Sequence, residues 1–392
     1  MNNNDLDAEN VQCHECALIV KPPALAENQK AQCPRCGYTL STLHRNATER
    51  IVAFAITGLI FLLASLPFDF LSFSRNGLEN KFDVITGFFA LIDNNYPFLA
   101  LIELLTIFAI PSFILLSVIY LLIPINKGLY PKHGRRILNM VFRLLPWGMV
   151  EIFLIGTLVS LIKVMSMADI ALGMSFYAFI GFALSMTLVA LHIDKRQLYQ
   201  LLAQVEKAHN IDIQQSDNKI AYEEPNAQTL SVQKTWALLI TAIFLYIPAN
   251  ALPIMTTSFL GQDDPSTIIG GVFLLWHMGS YPIAIIIFIA SVIVPVAKIL
   301  VLIWLNYSVQ KQSDRLSLER VRWYRIAEFI GRWSMIDVFV VIILVSLIQL
   351  GPAMSITPGA ATLAFSGVVI LTMLAAMSFE PKLIWKSNKY HE

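Results

Sequence analysis

Charge is scarce in this chain. Asp, Glu, Lys and Arg make up only 14% of its 392 residues against 56% hydrophobic ones, and the mean hydropathy is positive, which excludes an ordinary soluble protein. The sequence has no Walker-type Gly-Lys loop, no Gly-x-Ser-x-Gly elbow and no His-Glu-x-x-His. It therefore gives no basis for ATP hydrolysis, serine-hydrolase or zinc-protease chemistry, and an enzyme is not expected. It also lacks a basic, aromatic surface, and its N-terminal tail carries few basic residues, so nucleic-acid binding is not expected. No cysteine follows Cys36.

Long apolar runs are abundant. Stretches of roughly 20 residues, enough to cross ~30 Å of hydrocarbon, lie at about 50–67, 97–124, 141–165, 173–193, 234–253, 281–307, 326–350 and 359–379. Eight spans follow, making the chain a polytopic membrane protein. The first run follows a polar tail and lacks a short apolar segment with a small-residue cleavage site, so the tail is not read as a signal peptide. Lys and Arg collect in the 126–140 and 308–325 loops and in the C-terminal tail, whereas the 68–96, 166–172, 254–280 and 351–358 connections hold only Arg75 and Lys81. By the positive-inside rule, an even number of spans places both termini and the central linker in the cytoplasm.

The chain resembles itself. At an offset of 186, "WGMVEIFLIGTLVSLIKV" (147–164) lies against "WSMIDVFVVIILVSLIQL" (333–350) with eight of 18 positions identical. Four spans per unit is an even number, so the two units share one orientation and form a parallel repeat. The expected fold is an all-α membrane protein: a ribbon domain over 1–46, repeats over 47–193 and 234–380, a solvated linker over 194–233 containing a helix from Tyr199 to His209, and a tail over 381–392. On the outer side each repeat carries an apolar stretch too short to cross, "DVITGFFALI" and "STIIGGVFLLWHMG", which reads as a cover, a re-entrant segment or plain packing.

Cys13, Cys16, Cys33 and Cys36 form two Cys-x-x-Cys pairs with 16 residues between them. Two turns that each donate two thiolates to one tetrahedral Zn(II) have this spacing, so one structural zinc is expected. Gly37 suits the tight turn of the second knuckle, and His14 reads as a bystander. A dithiol redox pair is the rival, although it expects a single motif at a strand-to-helix junction.

Asp337 interrupts the seventh apolar run. A carboxylate at membrane depth is a functional-site hypothesis by default and needs a partner. It lies ~16 Å from the start of its span and Lys298 lies ~14 Å from the end of the preceding one, at 1.5 Å per residue. An Asp337–Lys298 pair is the simplest reading, with Ser334 one turn from the acid, Ser291 two turns from the lysine, and Pro295 freeing a carbonyl beside it. The first repeat keeps the acid as Glu151 but has Ser112 or a neighbour in place of the lysine, which leaves Glu151 available to a proton relay. A static charge pair that fixes helix register is the alternative. Glu103 and Lys163, nearer the outer interface, are expected to snorkel.

These features together resemble the paraquat-inducible protein A family, which includes the lipophilic envelope-spanning tunnel component LetA. The resemblance is carried by "CHEC…CPRCGYTL", "ALPI", "STIIGGV", "SVIVPVAK", "GRWSMIDVFV" and "FEPKLIW" and covers most of the chain. It implies a bacterial inner-membrane protein that works with a periplasm-spanning MCE-domain tunnel protein to move phospholipid or other lipids between the two membranes. It also implies a core polar network of Ser291, Lys298, Ser334, Asp337 and Thr372, with Glu151 from the first repeat. Members often carry a second four-cysteine ribbon between the repeats; this chain does not, and it has Gly148 where the second repeat has Ser334. A membrane scaffold that regulates the tunnel and a thiol redox protein are the competing functions.

Overall fold

In hydrocarbon a spanning segment must satisfy its own amides, so these apolar runs can only be helices. The computed structural model describes residues 11–21, 29–42, 46–75, 78–164, 169–209, 225–259, 262–277, 279, 281–311, 317–347 and 354–390. Among them, eight helical segments are long and apolar enough to cross a membrane. The tail before them forms two small antiparallel hairpins, β1 (Val11–Gln12) with β2 (Ile19–Val20) and β3 (Lys30–Gln32) with β4 (Thr39–Thr42).

The same order of elements then occurs twice. It runs through α1 (Ala47–Ala64), β5 (Leu71–Arg75), β6 (Leu78–Phe82), α2 (Val84–Asp93), α3 (Pro97–Glu103), α4 (Ile110–Asn126), α5 (Gly134–Leu144), α6 (Val150–Val164), β7 (Asp169–Leu172) and α7 (Met174–His192). Helix α8 (Lys195–Ala208) follows. The order then repeats as α9 (Pro225–Ala251), β8 (Met255–Phe259), β9 (Gln262–Ser266), α10 (Ile268–His277), α11 (Tyr281–Phe288), α12 (Val294–Gln310), α13 (Ser317–Trp333), α14 (Ile336–Leu347), β10 (Met354–Pro358) and α15 (Ala360–Ser378). In each half the three strands form one antiparallel sheet with the first strand central, β6-β5-β7 and β10-β8-β9.

Two spans in each half are interrupted. Between α3 and α4 the backbone widens into a π-turn at Leu104–Ala109, and between α11 and α12 into another at Ile289–Ile293. Pro111 and Pro295 follow within two residues of these turns. A proline removes an amide donor and its ring clashes one turn back, which accounts for the widening there. The next span breaks again: α5 passes through a 3₁₀ turn at Leu145–Trp147 before α6, and α13 ends at Trp333 before α14 begins at Ile336.

The short apolar helices α6 and α14 pack on each other across the two halves. Gly156 permits this, because a Cβ there would sit 3.2 Å from Phe339 Cβ, and Ser160 Oγ donates to the Val340 carbonyl at 3.4 Å. Phe153 meets Phe339 edge-on at 5.6 Å and continues into Phe70, Phe179 and Phe182. Asp337 to Leu347 are buried without exception. Helix α2 covers α14, with Ser346 Oγ donating to the Gly87 carbonyl. Its counterpart α10 is exposed at Ile269, Phe273, Leu274 and Trp276.

The stretch read as a solvated linker is more ordered than expected. Asp194 caps α8 by accepting from the Gln197 amide at 3.1 Å, Leu198 and Leu202 are buried, and Arg135 of α5 pairs with Glu206 at 2.8 Å. Residues 225–233 already belong to α9, and 210–224 lie outside the described residues.

Candidate metal centre and buried polar site

The two hairpins turn at the cysteines. In each knuckle the first cysteine amide donates to a carbonyl five residues on, Cys13 to Leu18 at 2.9 Å and Cys33 to Tyr38 at 2.8 Å. The reverse bonds run from the Ala17 amide to the Cys13 carbonyl and from the Gly37 amide to the Cys33 carbonyl. Both turn residues have positive φ, +70° at Gly37 and +56° at Ala17, so the first knuckle holds an L-residue in the left-handed region that suits glycine. The knuckles place all four buried Sγ atoms within 4.8 Å of one another, with Cys13 to Cys36 at 3.5 Å and Cys16 to Cys33 at 3.4 Å.

These separations are too long for disulfides and close to the ~3.8 Å edge of a tetrahedron with ~2.3 Å metal–sulfur bonds. The four residues therefore fit a metal ion. Burial pushes the Cys16 thiol up to about 12 and raises Cys36 as well. At Cys33 burial acts the same way, but amide donation from Cys36 and Arg35 and the Cys16 thiol outweigh it and lower the group. A thiolate set this buried needs a cation to stay ionised. Burial, with Lys382 and Lys195 nearby, lowers His14, so its imidazole is neutral; it lies beside Tyr38 rather than among the ligands.

The ribbon is clamped to the second half. Glu15, inside the first knuckle, is buried and receives a two-pronged ion pair from Arg325 of α13, and Arg325 Nη2 also donates to the Cys36 carbonyl at 2.8 Å. Arg35 lies 4.6 Å over the ring of Trp385, which belongs to the 3₁₀ segment Pro381–Tyr390, so the expected tail over 381–392 is in part ordered against the ribbon. The Thr42 amide donates to Asp194 at 2.7 Å. Ribbon, α8 start, the middle of α13 and the C-terminal segment thus share one face of the molecule. Neither Glu15 nor Arg325 was legible as an anchor, because an acid inside a Cys-x-x-Cys carries no signal of what it faces.

Inside the second half, Lys298 and Asp337 do not form the expected ion pair. Lys298 Nζ donates to Thr372 Oγ1 at 2.9 Å and to the Gly331 carbonyl at 3.4 Å. Ser291 is the side chain directed at the Asp337 carboxyl. The interruption before α14 gives the physical reason. The last carbonyls of α13 lack intrahelical partners and form its negative pole, which takes the cation. Asp337 occupies the first turn of α14, the positive pole of that helix. Each charge is therefore met by a helix terminus and a hydroxyl instead of by the other. Asp337 Oδ2 and Ser334 Oγ remain buried without hydrogen-bond partners.

The first half holds an apolar version of this site. Aligned on Pro111 and Pro295, Ile114 stands at the Lys298 position, and at the general offset Met186 stands at Thr372. Their side chains converge as Lys298 and Thr372 do: a Cβ on Gly148 would meet Met186 Cε at 3.3 Å and Ile114 Cδ1 at 3.8 Å. Glu151 makes no hydrogen bond or ion pair with the second-half set among the described residues, and Arg332 is the cation that acts on it. Glu103 does not snorkel; it is 1% exposed, with both carboxyl oxygens unpartnered. The Lys163 side chain lies outside the described residues.

Comparison with known proteins bears on this arrangement. The family description of paraquat-inducible protein A matches residues 48–203 and again 232–389. The chain belongs to the paraquat-inducible protein A family. It is 36% identical to the intermembrane transport protein PqiA of Escherichia coli K12, with 96% of each chain covered. It is 26% identical to lipophilic envelope-spanning tunnel protein A of the same strain, over 96% of this chain and 91% of that one. No solved structure matches it. The two family matches coincide with the two runs of elements and leave the ribbon outside both.

The Lys298–Thr372 contact is directly testable. Hydrogen bonds to a buried charge contribute about 1.5–3 kcal/mol, so a double-mutant cycle between Lys298→Met and Thr372→Val, read by thermal or denaturant unfolding, should give a coupling of that size. A coupling near zero would contradict the contact.

Proposed function

We propose that the protein moves phospholipid between the inner and outer membranes of a bacterial envelope, as the inner-membrane partner of a periplasm-spanning MCE-domain tunnel protein. In this reading it is a carrier rather than an enzyme, built as a parallel duplication of a four-helix unit with both termini in the cytoplasm. The observation that carries the reading is a cluster of Ser291, Lys298, Ser334, Asp337 and Thr372, fully wrapped by protein and lacking an internal ion pair, in a chain whose relatives are named for intermembrane transport. Buried charges cost several kcal/mol and are retained in membranes chiefly where they act on substrate, ions or protons. Asp337 Oδ2 and Ser334 Oγ have hydrogen-bonding capacity to spare. Proton movement through Asp337 supplies an energy input that needs no nucleotide, and Glu151, which lies outside the cluster, is not required for it.

The ribbon is proposed to hold one structural Zn(II). Zinc suits a closed tetrahedral thiolate set in a reducing compartment, where disulfides are disfavoured. A thiol redox function is weaker, because all four sulfurs converge on one buried point rather than offering an exposed pair. The clamp between Glu15 and Arg325 favours one rival, a scaffold whose ribbon regulates the tunnel complex while the spans move no lipid themselves.

Elemental analysis of the purified protein should return one zinc per chain, and Cys33→Ser should lose it and loosen the tail while the spans stay inserted. Iron, or no metal, would contradict the zinc assignment. The double variant Asp337→Leu/Lys298→Met separates carrier from scaffold. It should retain a near-native melting temperature and assembly with the tunnel protein, yet fail to complement an envelope-permeability defect. Full complementation would leave the scaffold reading in its place.

A further inference from the structure

On the ribbon face, where the two halves meet, a cleft of about 350 Å³ opens between the 3₁₀ turn before α6, the last turns of α13 and the end of α15. That volume is in the range of a small-molecule site. Its walls are apolar, from Leu145, Phe329, Met373 and Met377. Phe329 and Met377 are exposed, so the cleft is open sideways along the flank of a spanning helix. Methionine walls adapt to irregular hydrocarbon.

Charge enters from one helix only. Arg325 also reaches the cleft, but Glu15 and the Cys36 carbonyl occupy it. The Arg332 side chain is half-buried and makes no ion pair or hydrogen bond among the described residues, so its donors are free, with Glu151 of the first half as a further charge that it influences. Glu328 stands one turn before it, exposed and likewise without an ion pair. The two influence each other electrostatically without making a salt bridge. Gly331 lines the cleft between them, and its carbonyl accepts from Lys298, so a buried ammonium lies one residue beneath the floor.

We propose that this cleft is a headgroup site for a zwitterionic aminophospholipid, with Arg332 on the phosphodiester, Glu328 on the ammonium and the acyl chains along Phe329, Met373 and Met377. A guanidinium fork matches two phosphate oxygens, and Lys298 below adds to the attraction. An anionic lipid without an amine would meet Glu328 unfavourably. The purpose of the site, loading lipid toward the Lys298 cluster, rests on the lipid-transport reading; binding itself does not.

The test uses the full chain in nanodiscs of phosphatidylglycerol doped with phosphatidylethanolamine, with a benzophenone amino acid in place of Phe329 and mass spectrometry of the photoproducts. Losing a charge-assisted contact corresponds to about tenfold in occupancy. Ethanolamine lipid should therefore be captured about tenfold over its mole fraction, and Arg332→Gln should abolish that enrichment. Glu328→Gln should retain capture without the headgroup preference. Met377→Trp, which fills the cleft and leaves every charge in place, should reduce capture as Arg332→Gln does. Capture in proportion to bulk lipid, unaffected by Arg332→Gln and Met377→Trp, would overturn the proposal. So would competition by inorganic phosphate or glycerophosphoethanolamine at the potency of the intact lipid, which would make it a soluble-phosphate site. Lipid transfer measured on the same variants separates the two readings. Transfer at the native rate in Met377→Trp with capture lost removes the loading role, whereas selective capture in a wild-type protein that transfers no lipid keeps the site and removes the transport reading.

Discussion

The structure depends on one constraint: a helix that breaks inside a bilayer exposes two sets of unpaired backbone groups, and only protein can cover them. The break before α14 leaves Ser334, Met335 and Asp337 buried, with α6 packed on α14 across the interface and the α12 and α15 flanks packed on α13. Its two poles then decide where charges sit. The end of α13 takes Lys298 through the Gly331 carbonyl, and the start of α14 takes Asp337. A direct pair would satisfy the two charges mutually and leave the helix ends unmet. The observed arrangement uses each charge on a terminus and leaves Asp337 Oδ2 and Ser334 Oγ with spare capacity.

The same backbone geometry in the first half carries Ile114, Met186 and Gly148. The two halves thus share one frame, and the Lys298–Thr372 contact is present in the second only. The ribbon is tied to that copy. Its knuckle glutamate holds Arg325 two turns before the break at 334–335, and the thiolate cluster packs with Leu305, Val321, Tyr324 and Trp385. Because the ribbon has little core of its own, a metal bound by the four cysteines would supply its folding energy, and that site would sit against the Arg325 anchor on α13.

Much of this was legible in the sequence, and for physical reasons. Spans are set by hydrocarbon thickness, so all eight could be read from apolar runs. Metal-ligand sets need fixed spacing, so the four cysteines are readable as one set from the sequence alone. What failed was relative placement. A pair at matched depth, Lys298 with Asp337, ignored the helix ends that compete for each charge. Ser112 stands at the lysine position only under a constant offset of 186; Tyr96-Pro97 and Tyr281-Pro282 are already one residue short of that offset, and the Leu104–Ala109 π-turn, one residue longer than Ile289–Ile293, adds a second, which brings Ile114 there. The sheets were read as connections, although "LSFSR" and "LENKF" flank Asn76-Gly77, a hairpin signal. Glu103 gave no hint of burial, since an acid less than two turns into an apolar run reads equally well as snorkelling to water.

The central claim is that polar work in the membrane belongs to the second half alone. Asp337→Asn and Glu151→Gln remove corresponding carboxylates at equal steric cost, so lipid transfer by these two variants, assembled with the envelope partner and compared at equal protein level, tests it most directly. The account predicts that transfer is lost in Asp337→Asn and largely kept in Glu151→Gln. Equal loss in both, or loss confined to Glu151→Gln, would contradict it.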